Sequence, residues 1–155
     1  APAQAKEDAA AQAEQQTEEQ AEQPLQGMRV AVVDDRSVNR MMARTMLEQA
    51  GALVYEFADG SALLRGLRMP DASIQAVLMD LQMEPMDGLE ATRLIRADAS
   101  PRMNKLPILA MTGNLMRNEQ ELTRQAGMNG FLSKPLLYED LVRQLRSHVW
   151  GLGRQ

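Results

Sequence analysis

The chain has 155 residues, no cysteine, 45% hydrophobic but only 3% aromatic residues, and a formal charge of −4. That length predicts one hydrophobic core. The missing cysteine excludes disulfides, thiolate metal sites and Cys nucleophiles, and aliphatic side chains with the 12 Met must fill the interior. No apolar run approaches the roughly 18–20 residues that span a bilayer, and the start lacks the basic-then-apolar order of a signal peptide. No membrane insertion by this segment is expected.

The charge is uneven. Residues 1–24 are almost wholly Ala, Gln and Glu and set six acids against Lys6, which gives −5 there and leaves +1 for residues 25–155. A near-neutral body without a basic stripe has no footprint for direct nucleic-acid binding. The first segment favours helix locally but has no large apolar side chain to bury before Leu25. Residues 1–26 are therefore read as a linker or frayed helix, 27–150 as the folded domain and 151–155 as a tail. A signalling helix continued from a preceding domain is the alternative for the first segment, and a start at Ala rather than Met fits a piece of a longer chain.

From Met28 onward short apolar runs alternate with stretches of helical period, the signature of βαβ units. Strands are predicted at Arg29–Val33, Leu53–Phe57, Ile74–Met79, Pro107–Met111 and Gly130–Leu132, most of them continuous apolar runs as buried parallel strands require. Between the first two, Val38, Met42 and Met46 keep i, i+4 spacing, as do Leu137, Leu141 and Leu145 in the last segment; both sets predict core-facing helix stripes. Asp59 and Asp87 stand where helix N-caps belong, the latter with Glu90 in capping-box order. Gly51 and Gly127 read as helix stops. The sum is an α/β doubly wound (βα)5 parallel sheet, whose ligands lie outside the carboxyl ends of the strands.

The polar residues fall on those ends. Asp34 and Asp35 follow the first run, Asp80 the third, Thr112 the fourth and Lys134 the fifth. With strands 1, 3 and 4 central, three carboxylates, a hydroxyl and an ammonium share one pocket. Close carboxylates repel one another unless protonated or bound to a cation, and oxygen ligands without His or Cys favour Mg²⁺ or Mn²⁺. Asp80 could then attack phosphorus as a nucleophile, with Asp34 and Asp35 holding the ion, Thr112 donating to a phosphoryl oxygen and Lys134 supplying positive charge. Taken singly, each acid is more simply a cap or turn residue and Lys134 a surface charge. Their coincidence at the strand ends carries the functional reading. His148, near the end of the last helix, suits the helix dipole, and Trp150 is expected to cover a core edge.

Over about Gly27 to Val149 the sequence resembles receiver domains of two-component phosphorelays. The resemblance rests on Val-Val-Asp34-Asp35, Leu-Met-Asp80-Leu-Gln-Met with Met-Asp-Gly following, Ile-Leu-Ala-Met-Thr112-Gly-Asn and Gly-Phe131-Leu-Ser-Lys134-Pro135, in that order. It implies the flavodoxin-like receiver fold with strand order 2-1-3-4-5 and Asp80 as phosphoacceptor. It also implies a Mg²⁺ site from Asp34, Asp35, Asp80 and the Gln82 main-chain carbonyl, with Thr112 and Phe131 as the switch pair and Lys134 as phosphoryl sensor. A cis Lys134-Pro135 bond that helps aim the lysine is implied too. The partners implied are a histidine kinase domain or a histidine phosphotransfer domain, and the location cytoplasmic, either free or as the cytoplasmic part of a membrane-bound sensor kinase.

The wording of the motifs is most similar to receivers fused to hybrid sensor histidine kinases. A free-standing single-domain response regulator and a non-phosphorylated docking module of the same fold are the alternatives. The domain would catalyse its own phosphoryl transfer and dephosphorylation, with kinase activity residing in the full-length protein. Two departures from the family wording stand out: Glu84 separates Met83 from Pro85, and Gly113 replaces the commoner Ala. Glu84 is most simply a solvent-facing loop acid, the alternative being that it adds negative potential near the site, and Gly113 would loosen the loop after Thr112. A flavodoxin-like flavin binder shares the layers, but two acids after the first strand repel a flavin phosphate.

Overall fold

Each of the apolar runs becomes one strand of a parallel sheet. The computed structural model describes residues 23–83, 86–113 and 117–152. The strands are β1 (Arg29–Val33), β2 (Leu53–Phe57), β3 (Ala76–Asp80), β4 (Ile108–Thr112) and β5 (Gly130–Ser133), in the order β2-β1-β3-β4-β5. The helices are α1 (Ser37–Gln49), α2 (Gly60–Leu67), α3 (Gly88–Ala97), the short α4 (Pro101–Asn104), α5 (Arg117–Ala126) and α6 (Tyr138–Trp150). The first two strands match their predicted limits. The third and fourth are shifted toward the carboxyl side, so Asp80 and Thr112 are the last residues of β3 and β4 rather than the first residues beyond them.

Alternation along the strands divides the core in two. Ala31, Val33, Val77, Met79, Ile108 and Ala110 face α2 and α3 through Leu63, Leu67, Ala91 and Ile95. Val30, Val32, Leu78, Leu109, Met111 and Leu132 face α1 and α6 through Ala43, Leu47, Leu141 and Leu145. Every residue of β3 and β4 is buried, which explains why these runs lack a polar face. Leu25 is fully buried and its N–H donates to Ala50 O at 2.8 Å, so packing extends two residues before the expected start of the domain.

The helix termini follow their signals. Asp59 accepts from Ala62 N–H and Asp87 from Glu90 N–H, each at 2.8 Å. Gly51 and Gly127, just past the ends of α1 and α5, take φ of 92° and 102°. Gly151, expected in the tail, is the left-handed cap of α6. The helix α4 was not anticipated; Pro at its first turn after Ser100 starts it.

Two predicted core stripes are corrected. On α1, Val38 and Met42 are 59% and 47% exposed and Met46 is half-buried, whereas Ala43 and Leu47 are buried. The inward stripe runs Asn39, Ala43, Leu47 at the same i, i+4 spacing. Small Ala43 lets the helix approach β1, and the polar head of the stripe, Asn39, is used against Asp34 (below). On α6, Leu137 is 65% exposed because it is the N-cap residue, outside the helix whose stripe starts at Leu141. Trp150 is exposed rather than covering a core edge. Among the described residues no helix is long and apolar enough to cross a membrane.

Candidate phosphoacceptor site

The ends of β1, β3, β4 and β5 are adjacent in the sheet, so the residues that terminate them meet. Pairing of Asp80 with Met111 and of Thr112 with Ser133 fixes their heights, and Lys134 N–H donates to Thr112 O at 2.8 Å. Carboxylate oxygens of Asp34, Asp35 and Asp80 all lie within 4.8 Å of one another. Asp34 is fully buried, Asp80 is 4% exposed, and Asp35 faces solvent. Lys134 Nζ stands 3.1 Å from Asp80 Oδ1 and 3.4 Å from Asp34 Oδ2. These groups border a cavity of about 390 Å³ that Asp35, Asn39, Asp80, Gln82, Thr112, Gly113 and Lys134 line.

Main-chain and side-chain donors hold the acids in place. Arg36 N–H donates to Asp34 Oδ1 at 3.0 Å and Asn39 Nδ2 reaches the same oxygen at 3.4 Å. Arg40 donates to Asp34 O at 2.7 Å and also binds Glu56 on β2, tying α1 and the edge strand to the end of β1. Gln82 N–H donates to Asp80 Oδ1 at 3.3 Å. Behind Asp80 the chain approaches so closely that a Cβ on Gly88 would stand 2.3 Å from Asp80 O, which makes glycine obligatory at the start of α3.

Burial first, and the Asp34 carboxylate second, raise the Asp80 pKa above the ordinary aspartate value; Lys134 opposes both without cancelling them. One ammonium therefore leaves the pocket with an excess of negative charge. The donors are all oxygen and the shortfall is positive charge, so the residues fit a hard divalent cation such as Mg²⁺ or Mn²⁺.

Thr112 is buried, and its hydroxyl donates to Glu119 Oε2 on α5 at 3.0 Å. Phe131 does not join the acidic pocket. It is half-buried on the α2/α3 side of the sheet and lines a separate cavity of about 600 Å³ with Thr123, Met128 and Asn129. The Lys134-Pro135 bond is cis. Gly113 borders the acidic pocket with nothing within 4 Å of where a Cβ would be, so Ala would fit there. Glu84 and Pro85 lie outside the described residues.

Arg36, Asn39, Arg40 and Glu119 were missed by sequence reasoning. Asn39 had a usable signal, because it continues the i, i+4 stripe of Ala43 and Leu47 toward the acids. Glu119 had none, since it and Thr112 belong to different elements.

Residues 30–146 match the family model of the response regulator receiver domain. The chain belongs to that family. The acidic pocket at the strand ends is accordingly the phosphoacceptor pocket of a receiver domain. Sensor kinases are among its curated relatives: it is 38% identical over 116 residues to the sensor protein GacS of Pseudomonas syringae pv. syringae, covering 74% of this chain and 13% of GacS. It is 36% identical over 121 residues to the CAI-1 autoinducer sensor kinase/phosphatase CqsS of Vibrio cholerae, covering 78% and 17%. The receiver thus spans a small fraction of those proteins. Among solved structures it resembles the receiver domain of sensor histidine kinase PA1611 from Pseudomonas aeruginosa, with TM-score 0.70 and 34% identity over 80% of this chain and 98% of that one. That structure has a magnesium ion coordinated in its active-site cleft.

Proposed function

We propose that Asp80 accepts a phosphoryl group from a phosphohistidine, as the receiver module of a hybrid sensor histidine kinase. The observation that carries this is the triad of Asp34, Asp35 and Asp80 within 4.8 Å, with Lys134 Nζ 3.1 Å from Asp80. An Asp80 oxygen attacks phosphorus in line with the P–N bond; that bond breaks, its electron pair leaves with the imidazole, and an acyl phosphate remains. Asp34, Asp35, Asp80 and the Gln82 carbonyl would hold Mg²⁺ or Mn²⁺. When bound, the ion supplies positive charge against the phosphoryl oxygens. Lys134 is poised to shift from the Asp80 carboxylate to a phosphoryl oxygen, and the Thr112 hydroxyl is the neutral donor on the β4 side.

A donor histidine must approach over the carboxyl edge of the sheet. There Val38, Met41 and Met42 on α1 and Leu137 before α6 are exposed, more apolar surface than a solvated helix face needs. That supports docking of a kinase or phosphotransfer domain at this edge. The share of the sensor kinases that the chain matches supports the fused context and a cytoplasmic location beside a kinase core. We infer from composition that residues 1–24 serve as the tether to that neighbour.

The test is labelling by acetyl phosphate with Mg²⁺. The parent should label and Asp80→Asn should not; labelling of the variant on the parent's scale would overturn the assignment. Beryllofluoride with Mg²⁺ should perturb the amides of Asp80, Thr112 and Lys134, and a silent spectrum would favour a docking module that is never phosphorylated.

A further inference from the structure

We propose that Glu119 is a positioning residue that holds the Thr112 hydroxyl in the resting domain, so that phosphoryl binding must first take this hydroxyl away from a carboxylate. The proposal rests on the phosphoacceptor reading above and adds to it a residue outside the acidic pocket. Thr112 Oγ1 donates to Glu119 Oε2 at 3.0 Å, with Thr112 buried and Glu119 half-buried in the first turn of α5. A hydroxyl has one proton, and while Glu119 accepts it no phosphoryl oxygen can. The bond has an ionised acceptor, which makes it the stronger kind.

The backbone of Thr112 is tied to β5. Its carbonyl accepts from Lys134 N–H at 2.8 Å, and its register with Ser133 in β5 is fixed. What remains is rotation of a β-branched side chain between staggered positions. One hydrogen bond is exchanged for another, Glu119 for a phosphoryl oxygen, and no proton is transferred. The exchange makes acceptance of the phosphoryl group less favourable by the strength of the Thr112–Glu119 bond. It also releases a side-chain tie between β4 and α5, so the state of the pocket is felt at the start of that helix.

The experiment is titration of beryllofluoride in excess Mg²⁺ against parent, Glu119→Gln and Glu119→Ala, each also in a Thr112→Val background, with stability measured in parallel. Glu119→Ala should bind beryllofluoride about tenfold more tightly, the scale of losing one charge-assisted hydrogen bond. Glu119→Gln, which keeps a neutral acceptor, should gain about threefold. In the Thr112→Val background both gains should vanish. Glu119 also lies in the first turn of α5, where an acid favours the helix dipole, but a purely structural role there would lower stability without tightening binding. Unchanged or weaker binding by Glu119→Ala overturns the proposal. So does tightening that survives Thr112→Val, which would mean that Glu119 repels the ligand by charge alone. A parent that binds no beryllofluoride would sink the phosphoacceptor reading itself, whereas a binding parent with indifferent Glu119 variants sinks only this one.

Discussion

Asp80→Asn should stabilise the metal-free domain at neutral pH. The Asp34 and Asp80 carboxylates lie within 4.8 Å and both are buried, so salt screens them little. At an effective dielectric of about 20 two unit charges at that distance repel by about 3.5 kcal/mol. Lys134 at 3.1 Å offsets much of this, yet burial and Asp34 together still leave the Asp80 pKa raised. The ionised form is therefore disfavoured on balance, and removing its charge is a net gain in stability. Each kcal/mol moves Tm by about 4 °C in a domain of this size. Because the folded pKa is the raised one, the stability contributed by Asp80 is fully present below the unfolded value of about 3.9 and is lost as pH rises through the folded value. The parent should show that falling limb and the variant should lack it. Mg²⁺ works against that gain: at a hundredfold excess over Kd the parent is stabilised by about 2.7 kcal/mol, and the variant, short of one ligand charge, by far less. Thermal unfolding from pH 3 to 8, with and without Mg²⁺, reads all of this. A variant less stable than the parent at pH 7 without metal would refute the reasoning, since the Lys134 ion pair would then outweigh burial and like-charge repulsion.

Gly88→Ala should cost about 1–3 kcal/mol in urea unfolding and weaken Mg²⁺ binding, because the new Cβ meets Asp80 O at 2.3 Å and Met79 Cγ at 2.8 Å; an unchanged midpoint would remove the close approach. Arg96→Met should cost about 2–4 kcal/mol while leaving Mg²⁺ affinity unaltered. Arg96 donates to Gly127 O and Asn129 Oδ1 at 2.8 Å and to Asn104 O at 3.1 Å, all at the amino end of the sheet. The corrected face of α1 is checked by Val38→Lys and Met42→Lys, each expected within about 0.5 kcal/mol of the parent, against Leu47→Ala, expected to lose about 2–5 kcal/mol. Equal losses at Met42 and Leu47 would restore the stripe expected from the sequence.

The strands were legible because a strand buried on both faces leaves a contiguous apolar run, and β1 through β5 fall on such runs to within two residues. The acids were legible for the same reason: a run that ends in Asp34 or Asp80 marks where the sheet stops being covered. The face of α1 was not. Val38, Met41, Met42, Ala43, Met46 and Leu47 put apolar side chains on two sides of one helix, so i, i+4 spacing fits both and cannot choose between them. Packing chose the stripe with the smallest residue against β1 and with Asn39 over Asp34. The motif that contains Gly88 was visible as Met-Asp-Gly, but its cause, the Asp80 carbonyl at contact distance, belongs to β3 and not to the helix that Gly88 begins. Contacts between elements leave no periodic trace.

The same distinction separates what is fixed in the pocket from what is free to move. Asp80 is held by strand pairing to Met111, by Gln82 N–H and by the approach of Gly88 behind its carbonyl. The core on either side of β3 carries the cost of keeping a disfavoured carboxylate there. Lys134 and Thr112 have fixed backbones, joined by the Lys134 N–H bond to Thr112 O, but their side-chain bonds run to carboxylates that a phosphoryl group can replace as acceptor. A nucleophile that cannot relax and two donors that can exchange acceptors are what a reversible phosphoryl switch requires. On that division of labour, substitutions that free Asp80 should lower the rate of phosphorylation, whereas substitutions that free Thr112 should shift the balance between the two states.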